Sequence, residues 1–283
     1  MKMNRVYKKG ISIFLPVYNE EKRIYYTLSS LIWCDEVILL DKCSNDRTIQ
    51  IASQFSNVRI ITKEEGKAYT SSEYEIYLEE CQYKYSMTVT ASDIIHPFLA
   101  QKIKDKIQDE NFDYDAINIP YRGYFLGIYE KYSPWFSESS TKIIKTNLIQ
   151  LRRGEVHTAC NNEANTVYVI KTNSVNEAYF HLTHESAEGI IERHTRYWRG
   201  EALSPEPLNK SLTIVFKKFV RFLIIKRTFF KGKAAIALAF SFLTYYMMSY
   251  VYKWDYQFGN AEDLYSDLRN KILEEWRKNE QIK

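Results

Sequence analysis

The chain has 283 residues, 45% of them apolar and 26% charged, with a formal net charge of +4. This is ordinary globular composition, enough for one large domain or a domain with an appendage, and the total charge gives no argument for a nucleic-acid partner. The 9 glycines form no G-x-G-x-x-G, G-x-x-x-x-G-K-[ST] or G-x-S-x-G, so dinucleotide, P-loop and α/β-hydrolase readings lack their fingerprints.

The opening MKMNRVYKKG-ISIFLPVY imitates a secretory signal. Its apolar run is short, is broken by Pro16 and meets Glu20, Glu21, Lys22 and Arg23 with no small-residue cleavage site, so it reads as the first core strand, 11–15. A helix is expected over 20–32, with Ile24, Leu28 and Leu31 on one face. Strands at 36–40, 58–61 and 86–90 then alternate with helices at 46–55, 67–82 and 97–108. Continuous apolar strands separated by helices predict a parallel sheet covered on both faces. This wound α/β half ends near 109–113. Further strands are expected at 116–120, 140–144, 167–171 and 178–182, joined by loops carrying Tyr124, Phe125, Trp135 and Phe136. They would extend the first sheet as a mixed sheet and supply an acceptor wall.

The four cysteines, Cys34, Cys43, Cys81 and Cys160, make no C-x-x-C pair. A chain of this size needs no disulfide staples, so reduced thiols are expected. From 210 to 233 there are Lys and Arg but no acid, interleaved with residues such as Phe216, Phe219, Ile224 and Phe230. A basic helix of this kind suits a membrane surface. Residues 234–252 carry no charge and approach spanning length, but Ser241, Thr244, Ser249 and several tyrosines make a buried bundle helix the plainer alternative. A polar amphipathic helix closes the chain over 260–281, with Leu264, Leu268, Ile272 and Trp276 on one stripe.

Polar clusters fall at the expected strand ends. They are LPVYNEE at 15–21, WCDEVILLDKCSNDRT at 33–48 and TASDIIHP at 90–97, with GEVHT at 154–158 in the second half. Ser, Asn and Asp cap helix starts, yet the carboxyl ends of the first, second and fourth strands of a wound sheet also share one ligand crevice. An acid at a strand end could accept N–H bonds from a base such as uracil. A second acid could hold a divalent cation between two phosphates.

These motifs resemble the inverting glycosyltransferases of family 2, and within it the branch similar to lipopolysaccharide-core β-1,4-glucosyltransferases. The resemblance is close over 10–110 and traceable through GEVHT, through HLTHES at 181–186 and through HTRYWRGEA at 194–202. It implies an α/β fold of GT-A type, a Rossmann-like mixed sheet with helices on both faces. The GT-A domain would occupy 1–205, with a nucleotide-binding half at about 10–110 and an acceptor half at about 111–205. A helical membrane-associating region would follow at 206–283. It also implies that Asp41 contacts the donor base, that Pro16, Tyr18 and Glu20 frame base and ribose, and that Ser92 and Asp93 belong to the donor site. Asp93 would contact Mg²⁺ or Mn²⁺, and His184 would face the donor diphosphate or that metal from the far side of the cleft.

Two departures stand out. The branch usually shows D-A-D-E where this chain has Thr90-Ala91-Ser92-Asp93, and V-H-E where it has Val156-His157-Thr158. The usual candidate base is therefore missing, leaving Glu155, His157 and Glu163 to take the acceptor proton. His157 has a suitable ordinary pKa, and a structural histidine is the alternative. A zinc site on His181-Leu182-Thr183-His184 is disfavoured, because H-x-x-H is not H-E-x-x-H. Arg193, Arg196 and Arg199 recur at helical spacing and could hold a diphosphate or an anionic acceptor, a solvated basic face being the commoner outcome.

The expected function is transfer of a hexose from a nucleotide sugar, a UDP-sugar first. The acceptor would be an envelope saccharide or a lipid-linked one, in lipopolysaccharide or polysaccharide synthesis, with the enzyme peripheral on the inner face of the bacterial cytoplasmic membrane. The alternative is a non-catalytic nucleotide-sugar scaffold on the same fold. Nucleotidyl transfer is a third reading, but LPVYNEE is not a Gly- and Lys/Arg-rich triphosphate loop.

Overall fold

The first apolar run forms strand β1 (Lys8–Val17), buried over its last eight residues and central in its sheet. The computed structural model of the protein describes residues 5–63, 71–151, 160–203, 207–221 and 228–278. β1 pairs in parallel with β2 (Glu36–Asp41) on one side and β4 (Tyr83–Thr88) on the other, and β3 (Val58–Thr62) lies outside β2. Between them run α1 (Ile24–Ser29), α2 (Thr48–Ala52) and α3 (Ser71–Glu80); α4 (Pro97–Gln108) follows. The helix expected from residue 67 begins, in its described part, at Ser71.

Side chains of β1 alternate between two cores. Ile11, Ile13, Leu15 and Val17 pack with Ile24, Leu28 and Leu31 near α1 and with Leu99, Ile103 and Ile107 of α4. Phe14 points the other way and stacks on Tyr77 of α3, ring centroids 4.8 Å apart. Both faces are covered, which is why the buried stretch from Ile11 to Val17 is apolar apart from Ser12.

The second half turns the sheet mixed, as expected. β7 (Ser139–Lys145) runs antiparallel between β4 and β6 (Ala116–Phe125). β11 (Tyr179–Thr183) is parallel to the end of β6, β10 (Val167–Val169) to its start, and β5 (Asp93–Ile95) closes the edge antiparallel to β11. The path is β3-β2-β1-β4-β7-β6-β11-β5. β8 (Ile149–Leu151) and β9 (Cys160–Asn162) form a separate antiparallel pair. Cys34, Cys43 and Cys81 are free thiols.

Among the described residues the α-helices that follow are α5 (Ala187–Ala202), α6 (Leu208–Phe219), α7 (Lys233–Phe258) and α8 (Ala261–Lys278). α7 docks on the α/β unit across the border expected at 205. Leu238 shares a cluster with Phe125 and Ile190, Trp135 meets Phe242 edge-on at 5.1 Å, and Trp198 Nε1 donates to the Tyr245 carbonyl at 2.9 Å. By length and composition α7 could cross a membrane, and only 22% of its most apolar window is buried. Phe240, Met247, Val251, Trp254 and Phe258 are exposed. α8 buries no residue and leaves Leu264, Leu268, Ile272 and Trp276 open.

Candidate functional site

Val17 and Asp41 are register partners at the ends of β1 and β2. Both chains then turn through left-handed residues, Asn19 at φ 54° and Cys43 at φ 61°, a conformation that Asn tolerates better than most. The two loops hold each other. Ser44 Oγ accepts from the Asn19 amide at 3.0 Å, and Asn19 Oδ1 accepts from the Asn45 amide at 2.9 Å. Thr48 Oγ1 accepts from Glu20 N at 2.7 Å, and Asp46 Oδ2 from Glu21 N at 3.0 Å. The Asp46 carboxylate also caps the following turn through Thr48 N at 2.9 Å. Glu21 accepts from Arg47 N and Nε at 3.2 and 3.1 Å, bonds that hold its carboxyl below the usual range. Asp41 is buried, with Oδ1 accepting from Ser44 N at 3.0 Å.

The third loop follows β4. Asp93 is 1% exposed. Its Oδ2 accepts from Thr90 N at 2.6 Å and Thr90 Oγ1 at 2.9 Å, while Oδ1 lies 2.5 Å from His181 Nδ1 on β11. Burial alone would raise this carboxyl. The His181 hydrogen bond and charge, with Lys142 behind them, hold it below its ordinary value. Ser92 Oγ accepts from Arg23 Nη1 at 3.1 Å, and the Ser92 carbonyl accepts from Leu182 N at 2.8 Å.

Asp93 is therefore placed as a clasp between β5 and β11 rather than as an open ligand. Thr90 and Ser92 stand where the related motif carries acids. Among the described residues no three of His, Cys, Asp or Glu are grouped to hold a metal. The residues expected to bind Mg²⁺ or Mn²⁺, Asp93 and His184, do not fit that role as arranged, because the acid has no open oxygen to offer.

Between the loop after β1 and the start of α5 lies a cleft of about 340 Å³. Tyr18, Glu20 and Arg23 line it from one element, and His184, Arg193 and Arg196 from the other. His184 sits at φ 57° just past β11, and its ring stacks on Phe125 at 4.3 Å, itself stacked on Trp135 at 3.8 Å. Thr183 Oγ1 lies 2.8 Å from His184 Nδ1 and accepts from Arg193 Nη1 at 2.6 Å. Burial first, then the Arg193 charge, holds the imidazole down to about 3, so it is neutral at pH 7. His184 Nε2 and Arg196 Nε are buried and have no hydrogen-bond partner. A second cavity, of about 210 Å³, adjoins through Lys22, Arg23 and Glu185 and reaches Ala91, Ser92 and Leu182.

Of the residues expected at the donor site, Tyr18, Glu20 and His184 line the cleft. Ser92 lines the adjoining cavity. Pro16 and Asp41 are buried at their strand ends and do not line the cleft. Glu155 and His157 lie outside the described residues. Glu163 is exposed beyond β9, in a hairpin that packs through Ile149 on the Tyr77 side of the sheet, and does not line the cleft. Arg193 and Arg196 are half-buried in the cleft wall while Arg199 is exposed, so the solvated-face reading holds for Arg199 alone. Arg23 was missed. Its place three residues after Glu20, which it now grips through Nε at 2.9 Å, was the available signal.

A parallel β3-β2-β1-β4 unit extended by an antiparallel strand, with a cleft at its carboxyl ends, is the GT-A arrangement of glycosyltransferases. The sequence profile described as Glycosyl transferase family 2 matches residues 12–167, more than half of the chain, and the chain belongs to that family. Among solved structures, S. aureus TarS is similar at 19% identity over 77% of this chain and 45% of that one, TM-score 0.47. The chain thus spans less than half the length of that protein. TarS 1-349 in complex with UDP-GlcNAc is similar at 16% identity over 88% of this chain and 92% of that one, TM-score 0.48. Mycobacterium tuberculosis glucosyl-3-phosphoglycerate synthase, solved with Mn²⁺, UDP and phosphoglyceric acid, is similar at 17% identity over 50% and 57%, TM-score 0.36.

Proposed function

We propose that the chain is an inverting glycosyltransferase of the lipopolysaccharide-core-like branch. It would move a hexose from a nucleotide-diphosphate sugar, a UDP-sugar first, to a saccharide or lipid-linked acceptor of the cell envelope. The observation that carries the reading is the cleft at the carboxyl ends of the parallel strands, where the loops after β1 and β2 interlock. Open α/β sheets bind nucleotides at that place. Tyr18 and Glu20 frame base and ribose and the wall of Arg193 and Arg196 faces the diphosphate; Asp41 and Pro16, buried off the cleft lining, would reach the base where it extends past the two loops toward the strand ends.

In the reaction, the acceptor hydroxyl oxygen attacks the anomeric carbon as the bond to the diphosphate oxygen breaks, and the hydroxyl proton passes to a base. Glu155 and His157 are the candidates left for that base, Glu163 standing exposed beyond β9 and off the cleft. The uncovered apolar faces of α7 and α8, with Lys217 and Lys218 on α6, support peripheral attachment to the inner face of the cytoplasmic membrane. The engaged state of Asp93 favours one second reading, a nucleotide-sugar scaffold that binds without turnover.

The test is nucleotide release from a panel of UDP-, GDP- and dTDP-sugars, alone and with extracted envelope acceptors. Release from one donor, accelerated by an acceptor, is expected. Binding without release under every acceptor condition would establish the scaffold instead.

A further inference from the structure

We propose that Arg193 and Arg196 neutralise the donor diphosphate, with a hydrogen bond from neutral His184, in the place where related enzymes use a divalent cation. The inference rests on the nucleotide-sugar reading above and names how that site holds its ligand.

Charge is the first argument. A divalent cation contributes two positive charges to a departing diphosphate. Two guanidinium groups supply the same, in a planar fork that matches phosphate oxygens. The cleft also holds carboxylates, but those of the loops already have partners. Glu20 is bonded by Arg23, Glu21 by Arg47, and Asp46 by Thr48 and the Glu21 amide. Among the described residues no ion pair joins Arg193 or Arg196 to a carboxylate.

Unmet hydrogen-bonding capacity is the second. Arg196 Nε is buried without a partner, although buried donors are nearly always satisfied. His184 Nε2, on the same cleft, is buried and unpartnered too. Two unmet nitrogens on one wall point to an anion that would complete both.

Tautomer is the third. Thr183 Oγ1 accepts from Arg193, and its own hydrogen can then be donated to His184 Nδ1. In that arrangement the imidazole hydrogen lies on Nε2, and His184 is a donor there rather than a metal ligand. When the bond between the anomeric carbon and the diphosphate oxygen breaks, its electron pair stays with that oxygen. The added charge then develops beside groups already aligned for it. Asp93, clasped to Thr90 and His181, is left without a cation to hold.

The test is calorimetric titration of UDP into the full chain, in EDTA and then with Mn²⁺ or Mg²⁺. The Kd is expected to agree within about threefold across the three conditions. Arg193→Gln and Arg196→Gln should each raise it about tenfold or more while the fold is retained. Arg196→Lys, which keeps the charge and loses the fork, should fall between. His184→Gln, which keeps an N–H donor, should bind better than His184→Ala. Binding tightened more than about tenfold by Mn²⁺ or Mg²⁺, or arginine variants that bind as wild type, would overturn the inference and leave the donor reading standing. No binding of UDP, GDP or dTDP under any condition would remove the donor reading itself.

Discussion

Asp93 and His181 are register partners across β5 and β11, and their side chains meet at 2.5 Å with the acid fully enclosed. Asp93→Ala would leave Thr90 N and His181 Nδ1 unmet in a buried place. A loss of about 2–4 kcal/mol of stability is expected. Each kcal/mol corresponds to about 2–4 °C of melting temperature in a chain of this size. UDP affinity of the folded protein should change little. A variant with wild-type melting and lost UDP binding would return Asp93 to the donor site.

Asp41 offers a cleaner probe of base recognition. Asp41→Asn keeps one oxygen for the Ser44 amide and turns the other into a donor, which cannot accept a base N–H. UDP affinity should drop about tenfold with stability nearly unchanged. Unaltered affinity in calorimetry would take the base contact away from Asp41.

Within the helical tail, α7 packs on the α/β unit, whereas α8 buries no residue. A chain ending at 205 would bare Phe125, Ile190 and Trp198, which α7 now covers. We expect it to melt lower and aggregate, because uncovered apolar surface costs about 25 cal/mol per Å². A soluble 1–205 fragment with wild-type UDP affinity would contradict this.

At the membrane, Phe216→Ser with Phe219→Ser should reduce flotation of the full chain with anionic vesicles, and raised salt should reduce it further. Equal flotation of the variant would place the contact elsewhere, α7 and α8 being next to test.

Asp115 reports on acid stability. The Lys145 ammonium, followed by the amides of Asn165 and Thr166, holds its carboxyl down to about 2. Its folded value lies below the unfolded value of about 3.9. The stabilisation is therefore complete above about pH 4 and is lost as pH falls toward 2. Asp115→Asn should flatten the acid limb of the stability curve over that window and leave neutral-pH melting only slightly lower. An unchanged acid limb would exclude this carboxylate as a contributor.

Gly10 carries a backbone constraint. Its φ is +140°, and a Cβ there would lie 2.3 Å from Asp35 Oδ2, the atom that accepts from Ile11 N. Gly10→Ala should cost about 1–3 kcal/mol by denaturant unfolding. A wild-type midpoint would show that the start of β1 yields more easily than its geometry indicates.

The wound half was legible because each element carried its own period and punctuation. Residues 97–108 read as a helix from Pro97 at its first turn and an apolar face, and α4 has those bounds, with His96 Nδ1 capping Phe98 N. β6 was cut short at Pro120 because Arg122 and Gly123 break the apolar run; pairing with β11 carries it to Phe125. β5, β8 and β9 have three residues each, too few for any period. The site divided along the same line. Loop residues at strand ends stood out as polar clusters on apolar runs. Asp93 carried the same signal, but its partner is 88 residues away on β11, and nothing local tells a clasped acid from an open one. The arginines of α5 looked like a surface face until the loop after β1 was folded against them.

The interlocked loops after β1 and β2 bear on the timing of ligand capture. Asn19, Ser44, Asp46 and Thr48 fix one another through bonds made within the protein. The conformational entropy of that wall is lost during folding, not when a ligand arrives. The wall is thus preorganised, and it has little freedom left to move once a nucleotide is seated. Whatever closes over a seated nucleotide is therefore not this wall.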